Sequence, residues 1–136
     1  MAVNRLQTIL LTITGLIALL IGSLIAMDPM DFYSSYGIAL AGNTDMLSEL
    51  RAPGANLAVL GAVILMGAWR KSMRQVSLLI GLIVFGAFAA GRFLGLLTDG
   101  IPSDKVLAAL LIELFAALLL AMTYLAARRA QPSTYS

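Results

Sequence analysis

Four long apolar stretches alternate with polar clusters along this chain. They cover residues 6–27, 52–69, 76–97 and 106–127. Each approaches the ~20 residues that an α-helix needs to cross a hydrocarbon core. The pattern predicts an all-α fold, an integral membrane four-helix antiparallel bundle. It also predicts a single transmembrane domain over residues 1–136, with an extracytoplasmic loop at residues 28–50.

Composition excludes most other classes of protein. The chain is 60% hydrophobic and only 12% charged, with a mean hydropathy of +0.94, so it has too little polar surface to cover a soluble domain. A pI near 9.3 is typical of some nucleic-acid-binding proteins. The net charge is only +2, however, and orientation in a membrane accounts for where the basic residues lie. We therefore expect the lipid bilayer, and no nucleic acid, as a partner.

The charged residues are divided between the two ends of the predicted helices. Arg5, the cluster Arg70–Arg74 and the pair Arg128 and Arg129 flank the four stretches at one end. Basic loops face the cytoplasm as a rule, so both termini are predicted to be cytoplasmic. The first stretch is predicted to be a retained helix, because its apolar run exceeds the ~7–15 residues of a signal-peptide core. The connections at the other end carry the acidic residues Asp28, Asp31, Asp45, Glu49, Asp99 and Asp104.

Two local patterns have alternative interpretations. Phe32, Tyr33 and Tyr36 follow the first span, where an interfacial aromatic belt is favoured and a lid over a cavity between the helices is the alternative. Small residues recur at four-residue spacing in the third span, at Ala87, Gly91 and Gly95. Such stripes favour close packing within the bundle, with a homodimer as the alternative. Similar stripes are Gly54, Ala58 and Ala62 in the second span, and Ala109, Ala117 and Ala121 in the fourth.

Two ionisable residues fall inside the predicted spans. At 1.5 Å per residue, Arg92 and Glu113 lie roughly 9 and 14 Å from the acidic end of their helices. Leaving either charge against lipid costs at least ~2.5–3.5 kcal/mol. We therefore expect both side chains to face the bundle interior, and their depths allow them to form a pair.

The second span adds three polar residues near its outer end. Glu49 and Asn56 share a helix face, whereas Arg51 points elsewhere unless the helix begins irregularly. Pro53 is compatible with such a start, because proline is tolerated in a first helical turn. The sequence thus predicts a candidate ligand-binding site at the extracytoplasmic mouth of the bundle, formed by Glu49, Arg51, Asn56, Arg92 and Glu113.

Three functions are compatible with such a cluster. Arg92 and Glu113 could form a purely structural ion pair, or they could hold an apolar or anionic small molecule. In the third reading, Glu113 serves as an acid–base group in isomerase-like chemistry on a lipid or quinone-like substrate. The chain contains neither cysteine nor histidine, so we expect no metal site and no cofactor.

Several runs are similar to a known family: residues 47–56 (LSELRAPGAN), 67–70 (GAWR), 86–92 (GAFAAGR) and 99–102 (DGIP), together with Glu113. The chain resembles the bacterial membrane family called domain of unknown function 4345. The resemblance implies a small four-helix protein of the bacterial cytoplasmic (inner) membrane and supplies no catalytic residue. We expect a binding or accessory protein, alone or in a homodimer or larger membrane complex. A small membrane enzyme is the alternative.

Overall fold

Residues 2–129 form four long helices and one short helix. The computed structural model describes residues 2–129, with side chains from Arg5 onward, and this part of the chain contains no β-strand. All four long helices are long and apolar enough to cross a membrane, which confirms the prediction of an all-α, multi-pass membrane protein. The helices are α1 (Ala2–Met27), α2 (Pro29–Ser34), α3 (Thr44–Trp69), α4 (Arg74–Thr98) and α5 (Asp104–Arg129), with a 3-10 turn at Lys71–Met73.

The segment predicted as a loop, residues 28–50, is partly helical. It contains α2 and the beginning of α3, which starts at Thr44 rather than at Ala52. Asn43 caps this start, because its side-chain oxygen accepts a hydrogen bond from the backbone nitrogen of Asp45 at 2.8 Å. Hydropathy detects only the apolar part of a helix, which is why it does not reveal the polar first turns of α3.

The bundle is filled most tightly toward one end. We call the end that carries Arg5 and Arg70–Arg74 the basic end, and the opposite end the acidic end. Along the bundle α1 packs against α3, α3 against α4 and α4 against α5, whereas α1 meets α4 and α5 only sparingly. Among the described residues, the apolar side chains with 0% exposure all lie in the half nearer the basic end: Leu11, Ile64, Leu78 and Leu120. The half nearer the acidic end therefore has room between α1 and the α4–α5 pair.

Glycines allow α1 and α3 to approach closely. A Cβ atom at Gly22 would lie 2.3 Å from the backbone nitrogen of Ala58, and one at Gly61 would lie 2.3 Å from that of Leu19. In lipid, helix association depends on such close van der Waals contact. The predicted small-residue packing of Gly54 is likewise found here, since a Cβ there would meet the backbone of Ala26 at 2.8 Å.

The small-residue stripe of α4 behaves differently, and its predicted packing against a neighbouring helix is wrong. A Cβ atom added at Gly91 would meet no atom within 4 Å, and one at Gly95 would meet only the Asp99 carboxylate at 3.7 Å. The buried side chains of α4, among them Leu78 and Phe85, determine which face of the helix turns into the core. That rotation leaves Gly91 in open space.

The turn between α3 and α4 is fixed by hydrogen bonds. Arg74 donates to the carbonyl oxygens of Gly67 at 3.3 Å and Ala68 at 3.2 Å, and to the hydroxyl of Thr8 at 3.1 Å. The hydroxyl of Ser77 donates to the Val63 carbonyl at 2.9 Å. The bonds from Arg74 satisfy carbonyls in the last turn of α3, which have no partner along the helix, and the bond from Ser77 joins α4 to α3. The short basic connection therefore holds α3, α4 and α1 together at this end.

Candidate functional site

A cavity of about 790 Å³ occupies the half of the bundle nearer the acidic end. Ligand sites usually enclose ~300–1,000 Å³. Its wall is mainly apolar, with Ile17 and Ile21 from α1, Phe88 from α4 and Ile112 from α5. Phe88 and Ile112 are also 41% and 57% exposed, so the cavity is open rather than sealed. It has the size and the surface of a small-molecule site.

One side of the cavity is covered by α2 and the turn that follows it. We call residues 32–38 the aromatic lid, since Phe32, Tyr33 and Tyr36 line the cavity from this segment. The rings of Phe32 and Tyr33 meet edge to face with centroids 5.3 Å apart, and those of Phe32 and Tyr36 lie 5.4 Å apart. Of the two interpretations of these aromatic residues, the structure therefore agrees with a lid over a cavity.

Two hydrogen bonds hold the lid in place. Before the lid Asp28 caps α2, because its carboxylate accepts a hydrogen bond from the backbone nitrogen of Asp31 at 3.1 Å. Within the lid the carbonyl oxygen of Ser35 accepts a hydrogen bond from Lys105, in the first turn of α5. Gly37 then adopts φ +76°, a conformation that favours glycine, and the chain turns away from α2. The lid thus connects α1 with the beginning of α5 across the cavity mouth.

Arg92 and Glu113 form an ion pair in the cavity wall. The Nε atom of Arg92 donates to both carboxylate oxygens of Glu113, at 3.0 Å to Oε1 and 2.8 Å to Oε2. The two side chains are 30% and 13% exposed. They come from neighbouring antiparallel helices, and the pairing expected from their depths is found. Both residues line the cavity.

The ion pair leaves most of the guanidinium's donors unused. A guanidinium carries N–H donors on Nε and on both Nη atoms, and only Nε is engaged by Glu113. Within the described part of the chain, neither Nη atom makes a hydrogen bond, and neither do the hydroxyls of Tyr33 and Tyr36. The cavity therefore presents unused hydrogen-bond donors on an apolar background.

The other three predicted site residues do not join the pair. Arg51 donates from Nη1 to the carbonyl oxygens of Ala26 and Met27, both at 2.6 Å, and so binds the end of α1. Glu49 and Asn56 are exposed and do not line the cavity. The expectation that all five residues converge is wrong. Because α3 is already helical at Glu49, Arg51 points away from the face that Glu49 and Asn56 share, and that face does not line the cavity.

Sequence reasoning missed the apolar residues of the site. Ile17, Leu57, Phe85 and Val106 line the cavity. In a membrane helix an apolar residue can face lipid, a neighbouring helix or a cavity, so no sequence signal identifies them. Among residues 5–129, no group of three or more acidic side chains is placed to hold a metal ion.

These features describe a multi-pass membrane protein with an amphipathic cavity between its helices. The model of one protein family, the domain of unknown function DUF4345, matches residues 6–124. The chain belongs to this family, which its motifs had suggested. Neither the comparison with curated proteins nor that with solved structures finds a significant match.

Proposed function

We propose that this protein is a binding protein of the bacterial inner membrane that accommodates an amphipathic small molecule in its cavity. One observation carries the proposal: the Arg92–Glu113 pair lies in the wall of an otherwise apolar cavity of about 790 Å³ covered by an aromatic lid. Small-molecule sites combine apolar walls with a few placed polar groups in this way. Charged groups inside a membrane span are expensive, which makes them candidates for function.

Exposure favours binding over a purely structural ion pair. A pair that served only to fix helix register would be expected in the packed half of the bundle, among side chains such as Leu78 and Leu120. Arg92 instead retains 30% exposure and borders open space. The pair stabilises the contact between α4 and α5, and it also gives the cavity its polar feature.

Geometry favours binding over catalysis. Acid–base chemistry needs a carboxyl group that is free to exchange a proton with the substrate. Both oxygens of Glu113 accept a hydrogen bond from Arg92, and the other titratable residues of the wall are Tyr33 and Tyr36. The described residues place no second carboxylate at the cavity, which leaves the enzyme alternative, isomerase-like chemistry on a lipid or quinone-like substrate, without support.

The proposal places the acidic end, and hence the mouth of the cavity, outside the cytoplasm. The basis is the concentration of arginine and lysine at the opposite end, where Arg5, Lys71, Arg74 and Arg128 are found. Both termini would then be cytoplasmic, and the cavity would open in the outer half of the bilayer.

Reporter fusions test this orientation. Alkaline phosphatase, which is active only outside the cytoplasm, should be active when fused after Thr44 or Asp99. It should be inactive after Lys71 or Ser136, because the basic residues before those points hold them inside. Activity of the fusion at Ser136 would contradict the proposed orientation.

A cavity-filling substitution tests the binding function. In Gly91→Leu the new side chain enters the open space beside Arg92, because no atom lies within 4 Å of the added Cβ. We expect it to displace a bound amphiphile without disturbing the backbone. Nanodiscs loaded with equal amounts of hexadecanol and hexadecanoate, followed by native mass spectrometry, would measure retention, which should fall several-fold.

Gly86→Leu is the matched control for this experiment. Gly86 also lies on α4 with no atom within 4 Å of an added Cβ, but it does not line the cavity. It should retain as much amphiphile as the unmodified protein. Equal retention by the two variants and the unmodified protein would show that the cavity is not the binding site.

A further inference from the structure

Most polar side chains of the cavity can donate hydrogen bonds. Four side chains of its wall carry polar atoms: Tyr33, Tyr36, Arg92 and Glu113. The guanidinium only donates and the tyrosine hydroxyls can donate or accept, whereas the Glu113 carboxylate only accepts, and each of its oxygens already takes a bond from Arg92. Both Nη atoms of Arg92 and the two tyrosine hydroxyls have no hydrogen-bond partner among the described residues. A ligand that satisfies the Nη atoms of Arg92 must supply acceptors.

We infer that the occupant is a lipid-like amphiphile with an oxyanion head group, a carboxylate or a phosphate, bound to the Nη atoms of Arg92. This inference rests on the proposed binding function and names the class of its ligand. A guanidinium presents parallel N–H bonds that fit the two oxygens of such a group, and these charge-assisted bonds are stronger than neutral ones. The apolar wall, including Ile21, Phe88 and Ile112, suits a hydrocarbon chain.

A cationic ligand fits this wall less well. It would have to bind Glu113, whose two oxygens already accept hydrogen bonds from Arg92, whereas an anion meets Nη donors that have no partner among the described residues. A neutral amphiphile could fill the apolar space but would leave the Nη donors without a charged acceptor. Satisfying these donors in apolar surroundings is therefore what distinguishes an oxyanion from the other two classes.

The charges around the cavity indicate that this amphiphile enters from the bilayer. Asp28, Asp31 and Asp104 lie at the acidic end, exposed and outside the cavity wall, where they oppose an anion that arrives through water. Lys105, the cation beside them, is engaged by the Ser35 carbonyl of the lid. Because α1 and α5 meet only sparingly, the cavity can be reached between these helices from the surrounding lipid.

A comparison of head groups on one chain length tests the inference. The full-length protein in phosphatidylcholine nanodiscs is titrated separately with hexadecanoate, hexadecyl phosphate and hexadecanol, and native mass spectrometry measures binding. At least one anionic probe should bind roughly tenfold or more tightly than hexadecanol, which corresponds to one good charge-assisted contact. The carboxylate and phosphate arms show which oxyanion is preferred.

Substitutions test whether Arg92 is responsible for the preference for anionic head groups. The double variant Arg92→Gln, Glu113→Gln keeps the volume and the neutrality of the pair, and it should bind all three probes equally. Arg92→Lys keeps the charge but loses the planar guanidinium, so it should retain only part of the preference for anionic probes. This variant also tests the inference if the double variant does not fold. Lys71→Gln removes one positive charge far from the cavity and should keep the full preference.

The outcomes separate this inference from the proposed function. If hexadecanol binds as tightly as both anions and Gly91→Leu weakens all three, the cavity binds amphiphiles and the oxyanion inference is overturned. A preference that persists undiminished in the Arg92 variants also overturns it, since the selectivity would then arise elsewhere. If the unmodified protein retains none of the three probes, the binding function fails as well.

Discussion

Replacing Arg92 by leucine should destabilise the protein by about 3 kcal/mol, because it leaves the Glu113 carboxylate without its partner in an apolar wall. This is the low end of the range for breaking a buried ion pair, and it is chosen because Arg92 is 30% exposed. The double variant Arg92→Leu, Glu113→Leu should recover most of the loss, since it removes both charges together. The free energy of unfolding of both variants can be measured in detergent by adding increasing fractions of dodecyl sulfate and monitoring helix content by circular dichroism.

Arg51→Leu is the control for the loss of an arginine. Its guanidinium binds the exposed end of α1, where water can replace it at the carbonyls of Ala26 and Met27. We expect a loss of about 1 kcal/mol, the usual contribution of one hydrogen-bonded group. A double variant at Arg92 and Glu113 that is as unstable as Arg92→Leu alone would show that the pair does not act as a unit.

Gly61→Ala should also destabilise the protein, by about 1–3 kcal/mol, the usual cost of overpacking. The added Cβ would lie 2.3 Å from the backbone nitrogen of Leu19, so α1 and α3 would have to move apart along their main contact. The same methyl group at Gly86 meets nothing within 4 Å. There alanine should stabilise the helix by about 0.5–1 kcal/mol, because it restricts the unfolded backbone.

The unfolding midpoints of the two alanine variants should shift in opposite directions, because Gly61→Ala is expected to destabilise the protein and Gly86→Ala to stabilise it. Both changes add one methyl group to a glycine inside a membrane-spanning helix. If Gly61→Ala and Gly86→Ala shift the midpoint equally, close approach of α1 and α3 is not what the glycines provide.

The long helices and the central ion pair could be predicted because they depend on local properties. A run of apolar residues sets the length of a span wherever it packs. The depths of Arg92 and Glu113 follow from counting residues along two antiparallel helices, and lipid forces such charges to find a partner. Neither argument requires knowing how the helices are rotated. Deciding whether the pair serves structure or binding does require knowing the surrounding cavity.

Helix rotation and backbone partners explain what could not be predicted. Gly54 and Gly91 belong to similar small-residue stripes, yet one meets α1 and the other borders the cavity, because larger side chains set the rotation of each helix. Arg51 was expected to join Glu113, but it binds carbonyl groups of α1. Backbone acceptors are present at every residue, so a pattern of side chains carries no signal for such a contact.

Arg51 also affects how much the segment that carries the aromatic lid can vary in length. It ties the end of α1 to the first turns of α3 through Ala26 and Met27, so the chain between them leaves the helix pair and returns to the same place. Lengthening such an excursion costs little, since the entropy of closing a loop grows slowly with its length. The segment that carries the lid can therefore vary in length while the four spans keep their positions. The spans form a fixed frame, and the lid over the cavity is the replaceable part.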